Sequence, residues 1–150
     1  MKLQIEKGQS MLEILMALAV MALIVMAIVG LATISIRNSS YSKNKSLAEK
    51  FATETVDWLR QERDSGWTVF AAKAVGNGTY CLPQLAWLPA PVGECSAGQY
   101  VVGTVLQRQI ILQTNDGNIE AEVLVFWTDS QGEHRVKLNS FFSNWKSGNE

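Results

Sequence analysis

Between Ile14 and Ala32 the sequence carries no charged or polar side chain, and only Thr33 and Ser35 interrupt the apolar character before Arg37. Wound as an α-helix at ~1.5 Å per residue, Ile14–Ile36 would be roughly 35 Å long, enough to cross a hydrocarbon core of ~30 Å. A secretory signal peptide has an apolar stretch of only about 7–15 residues and a small-residue cleavage site after it. This run is longer, and the sequence beyond it stays helical in pattern. A buried core helix is usually shorter and lies in far more apolar surroundings. The run is therefore expected to be a single membrane-spanning helix.

The rest of the chain is nearly neutral. Of thirteen Lys+Arg and fourteen Asp+Glu, Lys2, Lys7, Glu6 and Glu13 lie before residue 37, which leaves eleven basic and twelve acidic residues in 37–150. The basic residues are scattered, so no nucleic-acid partner is indicated. The balance also argues against an acidic disordered tail. A length of 150 residues fits a membrane segment carrying one small domain.

After a polar stretch, Arg37–Lys45, helical periodicity resumes. Leu47, Ala48, Phe51, Ala52, Thr55, Val56, Trp58 and Leu59 recur at three- and four-residue spacing, and Lys50, Glu54, Asp57, Arg60, Gln61 and Asp64 fall largely elsewhere. No proline occurs before Pro83, and the first stop signal is Gly66. One long helix from about Gln9 to Ser65 is expected, with Asn38–Asn44 as the place where it would loosen.

Residues 66–98 read as irregular, with Gly76-Asn77-Gly78 as a turn, three prolines and both cysteines. Three strands are expected after them. The first is Tyr100–Thr114, with Tyr100, Val102, Leu106, Ile110 and Leu112 on one face. The second is Ile119–Thr128, with Ile119, Ala121, Val123, Val125 and Trp127 on one face. The third is Glu133–Phe142, with Val136 and Leu138 together. Asn-Asp-Gly-Asn at 115–118 and Asp-Ser-Gln-Gly at 129–132 are the hairpin turns. An antiparallel meander must cover its apolar side, and the stripe of the long helix is the available partner. The fold class is α+β.

The flanking charges give no clean orientation, because Lys2 and Lys7 precede the span and Arg37, Lys43 and Lys45 follow it. Cys81 and Cys95 offer a second criterion. As a disulfide they would close a loop of about 15 residues, worth ~3 kcal/mol in the chain-entropy model, and would need an oxidising compartment. Two inert buried thiols are the alternative. The disulfide reading puts the N-terminus in the cytoplasm and the domain outside.

The sharpest local feature is Lys7-Gly8-Gln9-Ser10-Met11-Leu12-Glu13, set directly against the apolar run. A charge at the centre of a membrane helix costs ~2.5–3.5 kcal/mol. Glu13 could simply sit among headgroups, favoured by the helix dipole by ~0.3–1 kcal/mol. A cut after Gly8 offers a second explanation. Gln9 would then carry a free α-amine one helical turn before Glu13 and on the same face, within reach of Glu13 on a neighbouring helix. A close pair at an effective dielectric of ~20 gains ~4 kcal/mol, comparable to the insertion cost.

These residues resemble the type IV prepilin signal shared by pilins and by the pseudopilins of type II secretion and competence systems: a short basic leader, Gly8, Glu13 five positions beyond it, and a long apolar helix. Ala48–Trp67 is similar to the helix-to-loop segment of pilin-like proteins, and EVLVFWTDSQGEHRVKLNSFFSNW to the C-terminal sheet of minor pilin-like subunits. The resemblance implies a leader at 1–8, a transmembrane and filament-core helix at 9–36, and an extracytoplasmic globular domain at 37–150. It implies that a prepilin peptidase cuts between Gly8 and Gln9 and methylates the Gln9 amine, and that Glu13 steers the subunit into the filament. Partners would be that peptidase, other pilin subunits, the inner-membrane assembly platform and, before assembly, membrane lipid. The filament would be extracellular or periplasmic. The first mature residue of the family is often Phe, where Gln9 stands here. Many major pilins have a helix-breaking proline where this chain has Gly30.

No enzyme is expected. The single His134 lies beside a predicted turn without a surrounding nucleophile or carboxylate motif, and one His with two Cys makes a metal site or His-based catalysis improbable. No cofactor is expected. Trp58, Trp67, Trp87, Trp127 and Trp145 read as core or rim packing. A stand-alone membrane-anchored binding or sensor module is the competing class, since it needs the same anchor and domain but no cleavage after Gly8.

Overall fold

The computed structural model describes residues 7–76, 78–88 and 90–145, and it divides into two units, Met1–Ser42 and Lys43–Glu150. One α-helix, α1 (Lys7–Ser65), has 59 residues and runs unbroken through Gly30 and through Asn38–Asn44, so the expected loosening is not observed. Leucine, methionine and alanine dominate its first half, and each costs little to hold in a helix. One polar group in the apolar stretch is satisfied internally, because the Thr33 hydroxyl donates to the Val29 carbonyl at 2.9 Å.

Within the first unit, every residue from Met11 to Ser42 is exposed. Met11 to Ile36 therefore presents an apolar surface all round. Its mean hydropathy reaches 3.0 over an 18-residue window, and none of that window is buried. This is one helix long and apolar enough to cross a membrane.

In the second unit, α1 lies on a four-stranded antiparallel sheet. A seven-residue helix, α2 (Trp67–Lys73), follows Gly66. The strands are β1 (Gly78–Cys81), β2 (Gln107–Asn115), β3 (Asn118–Asp129) and β4 (Gly132–Phe142), in the spatial order β1-β2-β3-β4. Both hairpin turns fall where expected. Asp116 and Gly117 have φ of 48° and 79°, the doubly left-handed backbone of a two-residue turn that matches strand twist. At the other turn Asp129 pairs with Gly132.

The core forms where the two periodicities meet. All eight stripe residues of α1, from Leu47 to Leu59, are buried or half-buried. Ala48 and Ala52 let the helix approach the sheet closely, and the buried Thr55 hydroxyl returns its proton to the Phe51 carbonyl at 2.6 Å. Opposite them lie Ile110 and Leu112 of β2, Ile119, Ala121, Val123, Val125 and Trp127 of β3, and Val136 and Phe142 of β4. Phe70 of α2 closes one end edge-on against Phe142, with ring centroids 5.4 Å apart.

Two expectations are corrected. Residues 66–98 are not wholly irregular, since they contain α2 and β1. Gly78 opens β1 because a Cβ there would run into the Lys73 carbonyl. The strand expected at Tyr100–Thr114 begins only at Gln107, so Tyr100 and Val102 do not join the inner face but stand exposed at 45% and 72%. Gly103, with φ of 75°, turns the chain there, and the Val101 N–H closes the turn on the Leu106 carbonyl at 2.8 Å.

Neighbouring residues test this register. Ile110 is fully buried against α1, whereas Ile111 points to the opposite face and is half-buried. Ile110→Ala should cost ~2–5 kcal/mol, and Ile111→Ala about half of that or less. Urea denaturation of the two variants checks this, and equal losses would contradict the register.

Candidate functional site

The expected processing site lies at the edge of the described chain. Leader residues 1–6 are outside the described residues. Gly8 and Gln9 fall on the helical backbone of α1, and Glu13 follows them as an exposed residue. Gln9 and Glu13 are four residues apart on that helix, so they share one face with a rise of ~6 Å between them. From Glu13 to Ile36 no other acidic or basic residue occurs. The helix thus offers lipid or another helix one carboxylate, at one end of an otherwise uncharged surface.

The domain is organised around the segment between the two cysteines. Cys81 and Cys95 form a disulfide, with Cα atoms 4.9 Å apart. Before the bridge closes, the chain folds back along β1. The Cys81 N–H donates to the Pro91 carbonyl at 3.0 Å, the Gly93 N–H to the Thr79 carbonyl at 2.8 Å, and Tyr80 bridges Val92. Cys95 is held from the sheet, its N–H donating to the Gln109 side-chain oxygen at 3.1 Å.

Trp87 is the inward anchor of this segment. Its ring lies 4.8 Å from that of Trp58 and 5.3 Å from that of Tyr80. Its indole N–H donates to Glu62 Oε2 at 2.6 Å, and the Lys73 ammonium sits 5.4 Å over the ring. The sequence marked Trp87 as packing, but the Glu62 contact, 25 residues away, carries no local signal.

Arg108 is the other feature that periodicity missed. It occupies an inward position of β2, in line with Ile110 and Leu112, and it is 3% exposed. Burial lowers its guanidinium pKa to about 10, against an opposing pull from Glu54, so it remains charged at neutral pH. Its Nε donates to the Leu82 carbonyl at 3.0 Å while the Leu82 N–H donates to the Arg108 carbonyl at 2.7 Å. The buried charge therefore fixes the first residue after Cys81.

His134 serves a turn. Its Nε2 lies 3.0 Å from Asp129 Oδ1, which also accepts the Gln131 N–H at 2.7 Å. The Gln131 N–H, and then His134, hold the Asp129 carboxyl below the ordinary 3.8. Among the described residues no group of three or more His, Cys, Asp and Glu side chains could hold a metal ion. A cleft of 310 Å³ lies on the outer sheet face between Glu94, Cys95, Gln109, Phe126, Glu133 and Arg135.

No protein-family model, curated protein or solved structure matches this chain.

Two measurements follow from this geometry. Replacing both cysteines by serine should lower unfolding stability by ~3 kcal/mol, read from urea midpoints of oxidised wild type against the variant. The second is a pH profile. Because the Asp129 pKa is lowered on folding, its contribution is fully present above pH 3.8 and is lost as pH falls through the folded value. The stability difference between wild type and Asp129→Asn should therefore be smaller at about pH 2 than at about pH 5. A difference that persists unchanged to about pH 2 would contradict the assignment.

Proposed function

We propose that this chain is a structural subunit of a type IV pilus or a related filament, of the minor-pilin kind, processed after Gly8 and assembled through its N-terminal helix. The observation that carries this reading is the pairing of an exposed apolar helical surface with one carboxylate. Among the described residues nothing covers Met11–Ile36, and Glu13 is its only charge. Lipid can cover the apolar side chains but gives Glu13 no partner at depth. A bundle of like helices can cover both, because the amine of a mature Gln9 on one copy can meet Glu13 on the next.

The domain fits the same role. An amphipathic continuation of the helix on an antiparallel sheet, with a loop closed by a disulfide, suits export to an oxidising compartment. The N-terminus is then cytoplasmic before assembly, and residues 37–150 extracytoplasmic. The partners are a prepilin peptidase, other pilin subunits and the assembly platform in the membrane. A pseudopilin of a secretion or competence system would use the same helix in the same way.

Glu13→Leu separates a filament subunit from a simple anchor. The change makes the span more apolar, so a stand-alone module would keep its level, location and fold. In a subunit the N-terminal amine would be left buried and unpaired. Truncating one side of a buried pair costs ~3–5 kcal/mol, enough to lower incorporation about a hundredfold or more. The measurement is the ratio of this chain in sheared filaments to that in membranes, with cleavage after Gly8 checked in the same samples. Equal ratios with normal cleavage would sink the assembly role of Glu13. Full processing of a Gly8→Phe precursor would sink the leader reading.

A further inference from the structure

The turn between Tyr100 and Leu106 presents apolar side chains to solvent from a rigid frame. Val101 and Leu106 are buried and anchor it, while Tyr100, Val102 and Val105 are 45%, 72% and 56% exposed. The frame is hydrogen-bonded throughout. The Val101 N–H reaches the Leu106 carbonyl at 2.8 Å, the Thr104 N–H and hydroxyl both donate to the Val101 carbonyl, and the Leu106 N–H donates to the Thr104 hydroxyl. The two valines are thus held outward. From Ser96 to Gln107 the sequence has no charged residue.

This turn lies beside Lys43, Asn44 and Leu47, which line a 180 Å³ cleft with Gly103, Thr104, Val105 and Leu106. Lys43 and Lys45 are exposed, and Lys45 Nζ lies 4.0 Å from Glu49 Oε1 in a solvent-exposed pair. Lys43 follows Ile36, the last apolar residue of the span, by seven positions, a tether of at most ~25 Å. The opposite end of the sheet is different in kind. Its turn is Asn115-Asp116-Gly117-Asn118, polar at every position. The β3–β4 turn, at the same end as Val102, carries Asp129 and is polar, so of the two turns at this end the Tyr100–Val105 turn is the apolar one, while Val69, Val75, Leu88, Val92 and Phe141 are exposed elsewhere on the domain.

We infer that the Tyr100–Val105 turn is a membrane-docking element. Val102 and Val105 enter the headgroup–acyl boundary of an anionic bilayer, Tyr100 lies at the headgroup level, and Lys43 and Lys45 face lipid phosphates. The inference rests on the membrane-anchor part of the function proposed above. An apolar tip without charge beside exposed lysines is the chemistry that an anionic lipid surface takes up. A protein partner would leave the lysines to be matched by carboxylates.

The test uses the full chain in vesicles of phosphatidylcholine with or without phosphatidylglycerol. Val102→Cys, Val105→Cys and, as the far-end control, Thr114→Cys are each labelled with an environment-sensitive fluorophore, keeping the Cys81–Cys95 bridge intact. Lipids bearing a nitroxide near the headgroup then quench the labels. Quenching at 102 and 105 should be at least about twofold stronger than at 114. It should also be stronger with phosphatidylglycerol, and Lys43→Gln with Lys45→Gln should remove that enhancement. Equal quenching at all three sites in protein that floats with the vesicles would overturn the docking element and leave the anchor standing. Protein that does not float overturns the anchor and the docking element together. Labels at 102 and 105 that are shielded only when copies are cross-linked to one another would assign the turn to a second copy and overturn the lipid assignment.

Discussion

An α-helix satisfies its backbone hydrogen bonds within itself, and this allows one element to serve two solvents. Along α1 only the side chains change. Up to Ile36 they are apolar on every side, and from Leu47 onward they are apolar on one stripe. A strand could not make that change, because its backbone would need partners in both environments. The uninterrupted helix is thus the constraint on which the rest depends. It fixes where the domain begins, and its stripe covers the inner face of the sheet together with Phe70 of α2. Its small residues, Ala48 and Ala52, set how closely the two layers approach.

The sheet in turn supports a segment that could not hold itself. Residues 82–94 contribute no regular strand of their own beyond the Tyr80–Val92 bridge. They are tied at one end by Arg108, in the middle by Trp87, and at the far end by Cys95 and Gln109. Arg108 is the costly member, since a buried charge is tolerated only when it is hydrogen-bonded and partly compensated. Its Nε bond to the Leu82 carbonyl, the Phe51 ring 6.0 Å away and the field of Glu54 supply that compensation. An apolar residue there would pack as well, but it could not hold the Leu82 carbonyl.

The long-range order was legible where one period dominates. The stripe from Leu47 to Leu59, the odd-numbered positions of β3 and the two hairpin turns could all be read from spacing alone. Each rests on a local rule that the tertiary structure does not override. Reading failed where the apolar content suggested a strand but the backbone turned. Tyr100-Val101-Val102 has strand composition, yet Gly103 and the Thr104 hydroxyl close a turn instead. β1 was missed because four residues between glycines and a cysteine carry no alternation long enough to recognise. Arg108 was invisible for a different reason. A charged residue at an inward position looks like a break in the pattern until Leu82, far away in sequence, is placed against it. At the N-terminus the proposed processing and assembly residues, Gly8, Gln9 and Glu13, are legible only as a pattern, because the roles proposed for them would depend on a peptidase and on neighbouring copies.

Both edges of the sheet bear on how copies of this chain can associate. β1 is short, and its outer side is occupied by the chain returning at Val92 and Gly93. β4 is longer, and among the described residues no strand pairs with its outer edge. Its outward face carries Glu133, Arg135 and Lys137, with Lys137 paired to Glu122 of β3 at 2.6 Å. A second β4 laid antiparallel about Val136 would set Arg135 of each copy opposite Lys137 of the other. A parallel, in-register copy would set each cation against itself. Like charges directly opposite destabilise strand pairing, and charged edge residues are a common device against it. In these two registers the β4 edge disfavours a second copy. The apolar helix from Met11 to Ile36 is where the proposed filament role places the contact between copies, with Glu13 as the proposed register charge.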